Sequence, residues 1–438
     1  MNQPLLGHLY ATCPVPEDLE AVTTMRPGAE VYPPSVGVET RAVKWIWRAV
    51  ERLYQAGIHP AISICVRRRG RILLERSIGY ARGNGPSDPP GSEKVLATPD
   101  TPFCVASASK AVTAMLLHHL DETDQVRLDD PVCEYIPEFG CRGKEAISLR
   151  HVLNHRAGVP NPPPDTMDPA LLGDPDRIVE LLCEQEPLWR PGTRLAYHAV
   201  TTGFLLGEVV RRVTGKDIRA YLDEVLRKPL GLRWMSYGVR HEDLGRVATN
   251  VFTGPAPFWP VSMLMRRALG IDYERAVEIL NDSRFLTSIF PSGNVVSNAE
   301  ELCRFFEVLR VGGTLDGVRV FDRRTVVRAT AEQSYLEPDM TLVLPFRYGS
   351  GFMLGAEWFS LYGPFTRHAF GHLGLTNVFG WADPDRDVSV AILTNGKPLI
   401  YPEIYFLFEV LRRIGSACPQ DGTGIGSACP PMPAARIS

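Results

Sequence analysis

Ser107 and Lys110 stand three apart in Ser107-Ala108-Ser109-Lys110. Val112, Met115, Leu116 and Leu120 follow at i, i+3, i+4 spacing, which predicts a helix opening at this tetrad. Residues three apart on a helix share a face, so the hydroxyl and the amine would meet. A serine hydroxyl is a weak nucleophile at neutral pH, and a desolvated lysine within reach can serve as its base. A helix start also directs free backbone N–H groups toward developing negative charge. One turn therefore offers a nucleophile, a base and part of an oxyanion site. The tetrad alone is weak: an N-capping serine beside a solvated lysine gives the same letters.

Two further segments carry chemistry. Tyr197 lies in Pro191-Gly192-Thr193-Arg194-Leu195-Ala196-Tyr197-His198-Ala199, a turn ahead of the apolar run Phe204, Leu205, Leu206, Val209, Val210. Gly371-His372-Leu373-Gly374-Leu375-Thr376-Asn377 precedes a predicted hairpin, Val378 to Trp381 and Val388 to Leu393, turning through Asp383–Asp387. Glycines flanking a histidine at a strand head permit close backbone approach.

The order and spacing of these segments resemble the serine β-lactamase and penicillin-binding-protein superfamily, class C branch, and in particular its family VIII carboxylesterases and LACTB-like members. Ser107-x-x-Lys110 matches the first motif. Tyr197 matches the tyrosine of Tyr-x-Asn, and His372-Leu373-Gly374 falls where β-lactamases carry Lys-Thr-Gly. The flanks agree: an opening hairpin at Ala61–Val66 and Ile72–Leu74, then Leu128–Val132 and Ile147–Gly158 after the nucleophile helix. The resemblance covers about residues 45–412. Two positions depart from the pattern: Ala199 replaces the asparagine, and His-Leu-Gly replaces Lys-Thr-Gly. Both losses weigh against β-lactam hydrolysis and leave acyl transfer from esters in place.

The resemblance implies an α+β fold, an antiparallel sheet flanked by helices, with an all-helical region inserted at about residues 101–295. It implies ester hydrolysis through an acyl-enzyme on Ser107, with Lys110 and Tyr197 sharing the proton work. It puts the oxyanion hole at the backbone N–H groups of Ser107 and Leu375, and His372, Gly374 and Ala199 at the substrate. It implies neither cofactor nor metal. Transfer to a metabolite acceptor, β-lactam or D-amino-acid peptide hydrolysis, and an inactive scaffold are the alternatives. Gly-x-Ser-x-Gly is absent from the sequence, which counts against an α/β-hydrolase.

Composition sets outer bounds. The 438 residues, 45% hydrophobic and 22% charged, fit a globular protein. A net charge of −3 argues against a nucleic-acid binder. Nine scattered cysteines without zinc spacing read as reduced thiols. His118 and His119 are adjacent, so a helix would point them about 100° apart, away from a shared metal. With no basic, apolar leader at Met1–Gly7 and no run near the ~18 residues of a span, the expectation is a cytoplasmic protein without stable membrane insertion, acting on a small-molecule ester.

Along the chain, residues 1–37 read as an N-terminal extension and 38–414 as the catalytic domain. Residues 415–438, with the repeat Ile-Gly-Ser-Ala-Cys-Pro, read as a mobile tail. Helices are expected over Thr40–Ala56, 171–186 and 203–228. The apolar, proline-broken stretch 251–265 admits three roles: local packing, a wall or lid of the acyl pocket, or a membrane-surface contact.

Overall fold

The computed structural model describes residues 10–163 and 166–420. Its frame is one antiparallel sheet. Thr23–Met25 (β1) forms an edge, helix Thr40–Gln55 (α1) follows, and Ala61–Arg68 (β2) and Arg71–Arg82 (β3) make a long hairpin. That hairpin turns at Arg69 and Gly70, with φ of 50° and 78°, the left-handed pair that suits the twist of two-residue turns. The helical region then runs through Ser109–Glu122 (α2), Leu149–Leu153 (α3), Pro175–Glu184 (α4), Thr201–Thr214 (α5), Val261–Leu269 (α6) and Tyr273–Ile279 (α7). Ala299–Arg310 (α8) brings the chain back to the sheet. Ser334–Pro338 (β4), Pro345–Tyr348 (β5), Met353–Leu354 (β6), Phe370–Gly374 (β7), Val378–Asp383 (β8) and Val388–Thr394 (β9) complete it, and Ile404–Ala417 (α9) closes the domain. The spatial order is β4-β5-β6-β7-β8-β9-β2-β3-β1.

Two cores follow from the period-2 alternation of these strands. Ile62, Ile64 and Val66 of β2 and Val390 and Ile392 of β9 face α1 and α9. Ala61 and Cys65, with Ala391 and Leu393, face the other way, toward α8 and the helical region. The face of α1 is that of the expected helix: Val43, Ile46, Trp47, Val50, Leu53 and Tyr54 are all buried. Each such side chain contributes roughly 1.5–3 kcal/mol by burial.

The helical insertion begins and ends on a single ladder. Phe103–Cys104 pairs with Val295–Ser297, which also pairs with Ser236–Tyr237. This ladder fixes the backbone just ahead of Ser107. The helix expected over 203–228 is split. Gly215, at φ 71°, ends α5, and Asp217 caps the next short helix, Ile218–Leu222.

Both proposed ends of the domain shift. The extension is not separate from residue 10 onward: Thr23–Met25 pairs with β3, and Val22 and Val36 join the core under α1. At the other end, Ile414 and Ala417 continue the buried face set by Leu407, Val410 and Leu411, so α9 runs past residue 415 and Cys418 is buried. The tail from residue 421 lies outside the described residues. In the stretch 251–265, Phe258, Trp259 and Met263 are exposed, and none of its residues lines the space beside Ser107.

Candidate active site

Ser107 sits in a single 3-10 turn, Ala106–Ala108, immediately before α2 rather than inside it. The turn is strained. Ala106 has φ 47°, a left-handed conformation that costs a residue with a Cβ about 1 kcal/mol or more. Ser109, the middle serine of the tetrad, holds it: its hydroxyl donates to Ala106 O at 2.6 Å and accepts from Val295 N at 2.9 Å. Strand β7 presses on the same turn. A Cβ at Gly374 would stand 2.0 Å from Val105 O. Gly374, expected at the substrate, thus works by admitting the backbone that carries the nucleophile.

Lys110 is buried, and its Nζ makes three hydrogen bonds. It donates to Ser107 Oγ at 3.3 Å, Ala199 O at 2.7 Å and Ser292 O at 3.0 Å. The second and third partners are neutral carbonyls, so no opposite charge offsets the loss of hydration. Burial pulls the Lys110 pKa from 10.5 down to about 7. Ala199 therefore contributes through its carbonyl, and it also lines the pocket.

Tyr197 covers this pair. Lys110 Nζ lies 5.1 Å from its ring centroid, and the phenol interacts with the Ser107 hydroxyl. Burial pushes the phenol pKa well up, so it is held neutral, with the Ser107 hydroxyl acting against that. A buried network fixes the tyrosine. Asp339 Oδ1 accepts from the backbone N–H groups of Tyr197, Thr341 and Leu342, and its Oδ2 accepts from Tyr348.

The beta-lactamase family model matches residues 48–403. The chain belongs to that family. It is 29% identical to the esterase/beta-lactamase LipL of Mycobacterium tuberculosis over 310 residues, which is 68% of this chain and 70% of LipL. Among solved structures it is similar to a penicillin-binding-protein homologue from Caulobacter crescentus, with TM-score 0.74 and 27% identity over 87% of this chain and 99% of that one. It is similar also to a family VIII carboxylesterase, with TM-score 0.73 and 26% identity over 86% and 99% of the two chains.

Leu375 and Ser107 line one apolar pocket with Phe285 and Phe290. The turn after Leu375 is built from two left-handed residues, Thr376 at φ 39° and Asn377 at φ 60°. Asn377 anchors it, donating to His59 Nε2 at 3.1 Å and to Tyr401, while its carbonyl accepts from Thr394 Oγ1 at 3.1 Å.

His372 is buried, with its ring centroid 6.2 Å from that of Tyr197. Its Nδ1 donates to Leu373 O at 2.7 Å, which leaves Nε2 as the lone-pair nitrogen. Burial, reinforced by Lys110, drives its pKa to about 3, so the ring is neutral. It therefore does not replace the positive charge of Lys-Thr-Gly.

Two residues of the site escaped the sequence reading. Ser292 supplies a carbonyl to Lys110, and its hydroxyl donates to Val200 O at 2.8 Å and accepts from Gly203 N at 2.9 Å. The available signal was the turn Pro291-Ser292-Gly293-Asn294 just before a strand. His155, at φ 58°, packs its ring 4.7 Å from that of Tyr197 and accepts from His198 N. His118 and His119 diverge, one to Ser350 O and the other to Tyr221. No helix among the described residues is long and apolar enough to cross a membrane.

Proposed function

We propose that this protein is a serine hydrolase that cleaves carboxylic esters through an acyl-enzyme on Ser107. One observation carries the reading: a fully desolvated Lys110, bound otherwise only to carbonyls, stands 3.3 Å from the Ser107 hydroxyl with its pKa drawn to about 7. Near neutral pH about half of such an amine is uncharged, and that form can take the serine proton as Ser107 attacks the ester carbonyl. Tyr197, held neutral between Ser107 and Lys110, passes that proton on toward the leaving alkoxide. The N–H groups of Ser107 and Leu375 receive the developing oxyanion, usually the largest electrostatic contribution. Water then releases the acid by the reverse route, and an acceptor alcohol in its place gives acyl transfer.

Esters rather than β-lactams are favoured by His372. A β-lactam brings a carboxylate, and this neutral ring offers it no charge. LipL and the family VIII carboxylesterase carry esterase in their names and so support the same chemistry here. The reading includes a cytoplasmic setting, supported by the free thiols of all eight cysteines among the described residues. A fluorophosphonate probe tests it: one label per chain, lost in Ser107→Ala, with hydrolysis of nitrophenyl esters lost in parallel. Labelling that survives Ser107→Ala refutes the assignment.

A further inference from the structure

Two spaces meet beside Ser107. The inner one, about 50 Å³, is the apolar pocket of Ser107, Val200, Phe285, Phe290 and Leu375. The outer one, about 290 Å³, opens between Thr166, Asp168, Gly270 and Arg275. Met167 and Ile279 belong to the walls of both, so the two spaces adjoin across this pair.

The inner pocket alone is far below the ~300–1,000 Å³ of small-molecule sites, whereas the two spaces together enter that range. The inner walls offer no free polar group: the Ser292 hydroxyl is already committed to Val200 O and Gly203 N. At the outer rim Arg275 pairs with Glu278 at 2.7 Å, and the exposed Asp168 accepts from Ala170 N at 2.9 Å. The inner walls therefore call for no charged substrate end. Ile279 closes α7 from one side and is buried. Met167, half-buried opposite, has three rotatable bonds and an adaptable thioether, suited to yielding around a chain.

We propose that the acyl chain of the substrate runs from Ser107 between Met167 and Ile279 into the outer cleft, so that the protein hydrolyses esters of medium-length aliphatic acids and these two residues set the acyl length. The proposal rests on the esterase reading above.

The test is a series of nitrophenyl esters, acetate to octanoate, on wild type, Met167→Trp and Ile279→Trp. In wild type kcat/KM should climb about fourfold per methylene, the value of burying each one, as far as hexanoate or octanoate. Met167→Trp should cut octanoate turnover at least about tenfold while acetate stays within about threefold, because only the passage to the outer cleft is blocked. Since Ile279 is buried and its variant risks misfolding, the half-buried Met167 decides the matter. A wild-type profile that peaks at acetate, or a tryptophan effect equal at every acyl length, overturns the proposal. So does a tryptophan effect that follows alcohol length, from ethyl to octyl, at constant acyl group. Failure of the esterase reading looks different: no ester is turned over, acetate included, and Ser107 takes no label.

Discussion

Lys110, at the head of α2, and Lys397, just after β9, are both sealed from water. Burial pulls Lys110 and Lys397 alike from 10.5 down to about 7. Their surroundings differ in one respect. Lys110 faces a hydroxyl, Ser107 Oγ, along with two carbonyls. Lys397 Nζ donates to Thr394 O at 2.6 Å, and the nearby Cys104 thiol is itself pushed up to about 11. A carbonyl has no proton to surrender, and a thiol with so high a pKa yields none at neutral pH. Desolvation makes an amine capable of accepting a proton; only geometry decides whether a nucleophile is there to give one.

Removing the nucleophile has the largest effect. Ser107→Ala should lower kcat for a nitrophenyl ester at least about 10⁴-fold, since no acyl-enzyme forms. Circular dichroism should show an unchanged fold, as the strained turn is held by Ser109 and Gly374. Next come the partners. Lys110→Ala and Tyr197→Phe should each cost about 10²–10⁴-fold in kcat/KM, and the double variant should lose far less than the product of the two. Additive losses would mean that the two residues act on separate steps rather than on one proton.

Much of the site was legible in the sequence, for a definite reason. Ser107, Lys110 and Tyr197 occupy local patterns, a tetrad and a turn, whose spacing survives without knowledge of packing. The long elements read well too, because α1 and the β2–β3 and β8–β9 hairpins carry their periodicity within themselves. What could not be read depends on distant backbone. Ser292 meets Lys110 from 182 positions away through a main-chain oxygen, which leaves no mark on residue type. Gly374 looked like a substrate-facing residue because its constraint, the Val105 carbonyl, is 269 positions distant, and likewise only the folded β1–β3 pairing shows that residues 23–25 belong to the sheet. The α9 boundary failed otherwise: Gly415 and Pro419 were read as tail, while Ile414 and Ala417 were still on the buried face.

The pH dependence sharpens the comparison further. A neutral Lys110 is required, so kcat/KM should fall about tenfold per pH unit below about 7 and level off above it. The site histidines cannot produce that limb: His372 is drawn to about 3 and His198 to about 4. A limb near 7 that persists in Lys397→Met and vanishes from the residual activity of Lys110→Ala assigns it to Lys110. One that vanishes in Lys397→Met would reverse the roles of the two lysines.

The smallest effect on activity belongs to Lys397→Met, and its signature lies in stability instead. Methionine matches the length of the lysine stem without its charge, and the only contact of Nζ lost among the described residues is that to Thr394 O. Activity toward a short ester should stay within about threefold, because no reacting atom is touched. Stability should respond with a definite sign. The folded-state pKa of Lys397, about 7, is below its unfolded value, so between the two the unfolded chain binds the extra proton and wild-type stability rises with pH. Below about pH 7 both states are protonated, and the wild type bears the full cost of a buried ammonium. The methionine variant has no such cost, so its advantage over wild type should be greatest near pH 6 and shrink steadily toward pH 10. Paired thermal melts across that range provide the measurement. A difference in Tm that is flat with pH would show that Lys397 keeps its proton in the folded state, and that burial alone does not produce the amine on which the comparison with Lys110 depends.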